Sequence, residues 1–145
     1  KMVENIQYLP NSIKVSKKKQ LVGITIDCKK IPDAAMTLAI LALFAKGSTT
    51  LKSIGSWRVK ETDRILAMET ELRKLGAFVS TTKNSITIKP PKKIHNNISI
   101  DTYDDHRIAM CFSLICLADK NIIINDPDCT KKTYPNFFKD FGGII

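Results

Sequence analysis

Two stretches of the chain carry almost no polar face. "PDAAMTLAILALFAKG" (32–47) opens on Pro32 and Asp33 and closes on Gly47, a helix start and a helix stop. "DDHRIAMCFSLICLAD" (104–119) opens on aspartates, favoured helix caps, and runs directly into apolar residues. A third helix is expected in "ETDRILAMETELRKLG" (61–76). There Ile65, Met68, Leu72 and Leu75 fall on one face and Gly76 provides the stop. A short fourth should come after Pro135 in "NFFKDF". Between the helices lie strand-like runs: "SIKVS", "GITID", "TTLKSI", "AFVSTT", "SITIKP", "NISID" and "NIIIND". "SIKVS" and "SITIKP" alternate apolar and polar residues, the mark of a strand with one wet face.

The contrast between the two classes sets the architecture. In a doubly wound sheet the strands are buried and the helices amphipathic. Here the first and third helices are apolar nearly all round, while the strands are often half-wet. The expectation is an α/β (α+β) fold with central helices and outer sheets. A faint internal repeat supports it. Asp33 and Asp105, 72 positions apart, each open an apolar helix, and each is followed 27 positions later by a lysine, Lys60 or Lys132. Two α/β units standing side by side would bring similar ends to one place.

The 145 residues have room for one ordinary domain with a real core. The longest helix-like apolar stretch, Ala34–Ala45, is too short to cross a bilayer. No basic-then-apolar segment opens the chain, so no signal peptide is read. The chain starts at Lys1 without an initiator methionine, which raises the expectation of a piece of something longer. The four cysteines, Cys28, Cys111, Cys116 and Cys129, form no C-x-x-C pair and are expected as reduced, buried thiols, in keeping with a cytoplasmic setting.

The net charge of +9 raises the question of nucleic acid. But 19 of the 23 basic residues are lysines spread over the whole chain, with no aromatic-interleaved stripe. A protein that handles small anions fits equally well. The four arginines, Arg58, Arg64, Arg73 and Arg107, say more, because arginine in a lysine-rich chain implies a need for its planar fork. Three of them fall in "SWRVKETDR" (56–64) and "YDDHR" (103–107).

Three clusters of residues carry the candidate chemistry. The first is Asp33. The second is Ser56, Arg58, Lys60, Glu61 and Arg64. The third is Asp104, Asp105, His106 and Arg107, with Lys131 and Lys132 after the next strand. Each member has a plainer alternative. Asp33 and Asp105 can be only caps, Glu61 and Arg64 a surface pair on a helix, His106 a packing residue and Lys132 ordinary surface. Arg107 is hardest to dismiss, since it leads directly into core residues. Together, helix N-termini with added arginine and lysine make a site for phosphate or carboxylate. Carboxylates among those cations can carry protons. The two histidines lie far apart, and neither a Walker A nor a G-x-G-x-x-G pattern occurs, so neither a metal nor a nucleotide cofactor is expected.

Four segments resemble one family in order and spacing: "IPDAAMTLAILALFAKGSTTL", "WRVKETDRILAMETELRKLGA", "YDDHRIAMCFSL" and "DPDCTKKTYPNFF". From about Cys28 to Phe138 the chain closely resembles the 5-enolpyruvylshikimate-3-phosphate synthases. The resemblance implies a two-domain fold of βαβαββ units with helices inside. It makes this chain the C-terminal portion of one domain. About 1–95 would be part of one unit leading into the next, about 96–145 the terminal part, and the second domain is absent. It implies a transferase of aromatic amino acid (chorismate) biosynthesis. The reaction moves the enolpyruvyl group of phosphoenolpyruvate to the 5-hydroxyl of shikimate 3-phosphate with release of phosphate. No cofactor is needed. The partners are the two small anionic substrates and the missing N-terminal portion of the enzyme, without nucleic acid or membrane.

Carried over position by position, Asp33 is the acid beside the shikimate hydroxyl. Lys60 is a shikimate 3-phosphate contact that can also move protons, and Glu61 is the proton carrier at the methylene carbon. Arg64, Arg107 and Lys132 are the clamp on phosphoenolpyruvate, and Asp105 and His106 orient the site, with His106 able to relay a proton. Ser56 is a departure, since better-known members have asparagine there. The chain alone is expected to fold and to be inactive. The rival readings are the enolpyruvyl transferase that acts on UDP-N-acetylglucosamine, which lacks the R-V-K-E-[ST]-D-R and D-H-R-x-A-M patterns, and a non-catalytic anion- or nucleic-acid-binding module.

Overall fold

The computed structural model describes residues 6–16 and 20–144; the remainder of the expected 1–145 span lies outside the described residues. The elements run β1 (Ile6–Leu9), β2 (Ser12–Val15), β3 (Leu21–Val22), β4 (Thr25–Asp27), α1 (Ala34–Ala42), β5 (Ala45–Lys46), β6 (Thr49–Lys52), α2 (Arg64–Lys74), β7 (Phe78–Thr81), β8 (Ser85–Lys89), β9 (Ile98–Ile100), α3 (His106–Ser113), β10 (Ile122–Ile124) and α4 (Phe137–Gly142). Among the described residues no helix is long and apolar enough to cross a membrane.

The largest sheet has the order β4-β6-β8-β7, with β4 parallel to β6 and the other neighbours antiparallel. Its strands face two environments. Leu51, Val79, Ile86 and Ile88 point inward and are buried. On the outer face Thr50 and Thr87 sit opposite each other, their hydroxyls 3.0 Å apart. The inward row packs on α1 and α2, and one continuous core joins it to Met36 and Ile40 of α1, Met68 and Leu72 of α2, and Ile108 and Phe112 of α3. Only Ala34 of α1 is exposed, and α3 has no exposed residue. The helices are therefore the inner layer and the sheet the outer one, as the apolar pattern requires. Alanines 35, 39 and 42 leave room for the neighbouring helices to approach closely.

β9, α3 and β10 repeat β4, α1 and β6. Both strand pairs are parallel, and each helix crosses between its two strands. The spacing of 72 that links Asp33 to Asp105 thus superposes whole supersecondary units.

The structure differs from the pattern-based reading at the element ends. α2 starts at Arg64, not Glu61, because the Asp63 side chain accepts from the backbone amides of Ile65 and Leu66 and caps the helix there. α1 stops at Ala42; the apolar residues after it turn, and Ala45–Lys46 pair with β3 as a strand. Beyond Ser113 the third helix tightens into a 3-10 helix, Leu114–Ala118, ended by left-handed Asp119. Two-residue β3 and β5 are too short to show a period; β1 and β2 are both wholly exposed, so the alternation of "SIKVS" marks a strand with two wet faces and not one.

The polar stretch between β6 and α2 is anchored on both sides. It contains a 3-10 helix, Gly55–Val59, whose Trp57 is fully buried and donates to the Pro32 carbonyl at 2.8 Å. Arg58 spends its fork on Asp63 Oδ2 at 2.8 Å and on the carbonyls of Thr82 and Lys83 in the β7–β8 turn. Asp63 therefore accepts three bonds, two as the cap and one as the tether. Asp63→Ala should cost about 1–2 kcal/mol, as for loss of a good cap. Asp63→Asn, which keeps an acceptor, should cost less, and urea denaturation of the two variants measures the difference.

Candidate functional site

The N-termini of α1, α2 and α3 meet at one buried guanidinium. Arg64, the first residue of α2, is 1% exposed. Its Nε and Nη2 grip both oxygens of Asp105, at 2.7 and 3.2 Å. Nη2 also donates to Glu61 Oε2 at 2.8 Å, and Nη1 to Asp33 Oδ1 at 3.1 Å. Four of the five N–H groups of the fork are used. Burial opposes the Arg64 charge, but the hydrogen bonds to Asp105 and the charges of Asp105, Glu61 and Asp33 outweigh it and hold the group above its ordinary pKa.

The two repeated aspartates do different work. Asp105 is fully buried and accepts from the amides of Arg107 and Ile108, so it caps α3 while binding Arg64. Asp33 stands at the start of α1 but makes no cap bond with its side chain. Its carboxylate instead bridges Arg64 and Arg107 Nη2, each at 3.1 Å. The capping alternative thus holds for Asp105 and fails for Asp33.

Glu61 lies outside α2, so it is no member of a helical surface pair. One oxygen binds Arg64 and the other accepts from Lys132 Nζ at 3.2 Å. A bond from its own backbone amide, then Lys132 and Arg64, outweighs burial and brings Glu61 down to about 2. His106 Nδ1 is buried without a hydrogen-bond partner and sits 3.9 Å from Glu61 Oε1, too far for a hydrogen bond. Burial pushes His106 below its ordinary value; the carboxylates of Asp105 and Glu61 pull the other way, and Arg107 and Arg64 add to the depression. This imidazole is neutral near pH 7 and forms no ion pair with Glu61.

Asp33, Glu61, Arg64, Asp105, His106, Arg107 and Lys132 therefore form one connected group, with three full positive charges against three negative. Arg107 and Lys132 are its exposed cations, at 39% and 63%. Of the adjacent lysines only Lys132 joins; Lys131 pairs with Asp128. Ser56 and Lys60 are exposed and hydrogen-bond to no member of the group. Beside Asp33 and Arg107 a cleft of about 450 Å³ runs between α1 and α3, walled by Thr37, Met110, Leu114 and Phe137. Pattern reading missed this cleft, because its walls belong to stretches whose apolarity reads as core.

A protein-family model described as EPSP synthase (3-phosphoshikimate 1-carboxyvinyltransferase) matches residues 1–141. The 3-phosphoshikimate 1-carboxyvinyltransferase of Pseudoalteromonas translucida is 60% identical over 130 residues, 90% of this chain and 30% of that protein. Its counterpart in Buchnera aphidicola subsp. Cinara cedri is 54% identical over 97% of this chain and 32% of that protein. The chain spans about three tenths of the length of these curated relatives. The solved EPSP synthase of Acinetobacter baumannii superposes with a TM-score of 0.74 at 29% identity, covering 94% of this chain and 34% of that one. The enolpyruvyl transferase NikO of Streptomyces tendae, at 14% identity and a TM-score of 0.70, shares the fold.

The depressed groups set the acid limit of stability. His106 is below 6.5 in the folded chain and Glu61 is at about 2 against an ordinary 4.5, so in both cases the unfolded chain takes up its proton first. Stability should be level between pH 8 and 6.5, fall as His106 is forced to charge, and fall again from pH 4.5 towards 2. His106→Gln should flatten the first limb and leave the second, read as urea midpoints between pH 8 and 3.

Proposed function

Because the chain belongs to the EPSP synthase family, we propose that this charged group is one side of an active site. The site transfers the enolpyruvyl group of phosphoenolpyruvate to the 5-hydroxyl of shikimate 3-phosphate and releases phosphate. The observation that carries the reading is the pairing of exposed cations with proton-carrying acids: Arg107 with Asp33, and Lys132 with Glu61. An arriving phosphate or carboxylate competes for Arg107 and Lys132. In taking them it removes one of the two ion pairs of Asp33 and of Glu61 and leaves each paired with Arg64. Glu61, held at about 2 by its own backbone amide, Lys132 and Arg64, loses the Lys132 part of that depression and moves upward, towards the range in which a carboxyl can give and take a proton. Substrate arrival and proton transfer are coupled by the same two bonds.

In this reading Glu61 protonates the methylene carbon of phosphoenolpyruvate, and C2 becomes electrophilic. The 5-hydroxyl attacks C2 and loses its proton to a base, with Asp33 the acid beside it. The methyl group then gives up a proton as phosphate departs. His106, neutral and 3.9 Å from Glu61, can relay a proton to or from it through one water or after the gap closes. Arg107 and Lys132 hold phosphoenolpyruvate. Arg64, four-fifths used within the protein, contributes to the clamp through one remaining N–H and by fixing its neighbours. Lys60 and Ser56, exposed on the approach to α2, reach the shikimate 3-phosphate side.

The charge balance bears on the rest of the enzyme. Three cations against three carboxylates cannot neutralise the two phosphates and two carboxylates of the substrates. Further cations must face this group from the part of the protein outside these 145 residues, the expected N-terminal portion. Phosphate release that requires both substrates, in the full-length protein, tests the reaction. Release with UDP-N-acetylglucosamine in place of shikimate 3-phosphate would support the sister activity. Salt-sensitive duplex binding without turnover would support a binding module.

Two substitutions in the full-length protein probe the roles. Arg107→Lys keeps the charge but not the fork, and most turnover should be lost; unchanged kcat and KM for phosphoenolpyruvate would remove Arg107 from the clamp. Glu61→Gln should lower the rate by about 10²–10⁴ with little change in binding. Solvent deuterium entering the methylene group of phosphoenolpyruvate at the wild-type rate would rule out Glu61 as the carrier.

A further inference from the structure

A second buried charge network lies two helical turns from Arg64 on the same face of α2. Glu71 is 0% exposed. Its Oε1 accepts from the Tyr103 hydroxyl at 2.7 Å and its Oε2 from the Asp101 amide at 3.2 Å. Lys74 closes the network, with Nζ 2.8 Å from both Glu71 Oε2 and Asp101 Oδ2. Asn125, just after β10, donates to the other oxygen of Asp101 at 2.6 Å. None of these residues touches the charged group at the helix N-termini.

Their connection to it is the loop between β9 and α3. Arg64 holds that loop at Asp105, and Glu71, seven residues and roughly 10 Å further along α2, holds it at Asp101 and Tyr103. Tyr103, itself an anchor, and Asp104 both adopt left-handed backbone, with φ of 55° and 54°, in a turn closed by the Asp105 amide on the Thr102 carbonyl at 2.9 Å. Two consecutive non-glycine residues in that region are strained, and such geometry persists only when its surroundings impose it. The residue released from this strained pair is Asp105, at once the cap of α3 and the bidentate partner of Arg64. Whatever fixes Tyr103 therefore fixes where His106 and Arg107 begin. Burial, then the Glu71 carboxylate, pushes the Tyr103 phenol up to about 12, so it stays a hydrogen-bond donor throughout the working pH range. Burial pulls Lys74 down, but its bonds to Asp101 and Glu71 outweigh that and keep it charged.

We propose that the Tyr103–Glu71 hydrogen bond, closed by Lys74 and Asp101, is a positioning device for the active-site end of α3. It holds the strained 103–104 turn so that Asp105 meets Arg64 and His106 stays buried against Glu61. Tyr103 and Glu71 are positioning residues, since neither reaches the group that would meet substrate. The inference deepens the proposed function, but its test does not depend on turnover.

The test is the titration of His106 by NMR in this chain. His95, the only other histidine, is the internal control. Tyr103→Phe deletes one hydroxyl and keeps the ring. The released turn should let water reach His106, and its pKa should rise towards 6.5. Asp104→Gly relaxes the left-handed backbone and leaves both anchors, so His106 should titrate as in the parent chain. A folded Tyr103→Phe chain with unchanged His106 titration overturns the proposal. So does an Asp104→Gly chain that moves His106 as far as Tyr103→Phe does. If Tyr103→Phe does not fold, Glu71→Gln, which weakens the acceptor and keeps its shape, is read in the same way. In the full-length protein, Tyr103→Phe should lower kcat by roughly 10- to 100-fold, the scale of a displaced catalytic geometry. Absence of transferase activity in the unsubstituted protein would sink the proposed function and leave the His106 result standing.

Discussion

One guanidinium organises this protein. Arg64 is buried among three carboxylates that arrive from the start of α1, the loop before α2 and the start of α3. A buried charge is tolerated only when it is paired and hydrogen-bonded. Arg64 meets that condition only if all three segments are in place. Removing Asp105, the one partner buried as fully as Arg64, is on the scale of about 3–5 kcal/mol that breaking a buried pair costs, because the guanidinium loses its bidentate partner. The same constraint makes the site a single object, since Asp33, Glu61 and Asp105 cannot move independently while they share one fork.

The inside-out layering makes this meeting possible. Helices buried on nearly every side must lie against one another, and parallel repeats point their N-termini the same way. Partial positive charge from the free amides is thereby concentrated at one end of the inner layer. The protein answers it with Asp63 and Asp105 as caps. Asp33 is spared from capping and turned towards two arginines. The same residue type, at repeat-equivalent positions, thus serves two functions because only one of the two has an arginine pair within reach.

The outer part of the group is poised differently from its centre. Asp105 and Arg64 are sealed and saturated. Arg107 and Lys132 are exposed and held by single ion pairs, the kind worth little in water. Weak outer pairs over a rigid, buried base make Arg107 and Lys132 the members of the group whose partners are most easily exchanged.

Much of this was legible in the chain. The all-apolar helices and half-wet strands specified the inside-out order, since burial on every side leaves no alternative place for such helices. The repeat of Asp33 and Asp105, and the sparse arginines, marked the segments that converge. Sequence could not decide which aspartate caps, which of Lys131 and Lys132 turns inward, or that Arg58 ties a loop to the β7–β8 turn while Arg64 binds the site. Those outcomes depend on distances between segments far apart in the chain, and composition and spacing carry no such distances. Glu71 and Tyr103 were invisible for the same reason. On α2, Glu71 reads as one more surface acid, and only the packing of the β9–α3 loop against that helix buries it and gives it a partner.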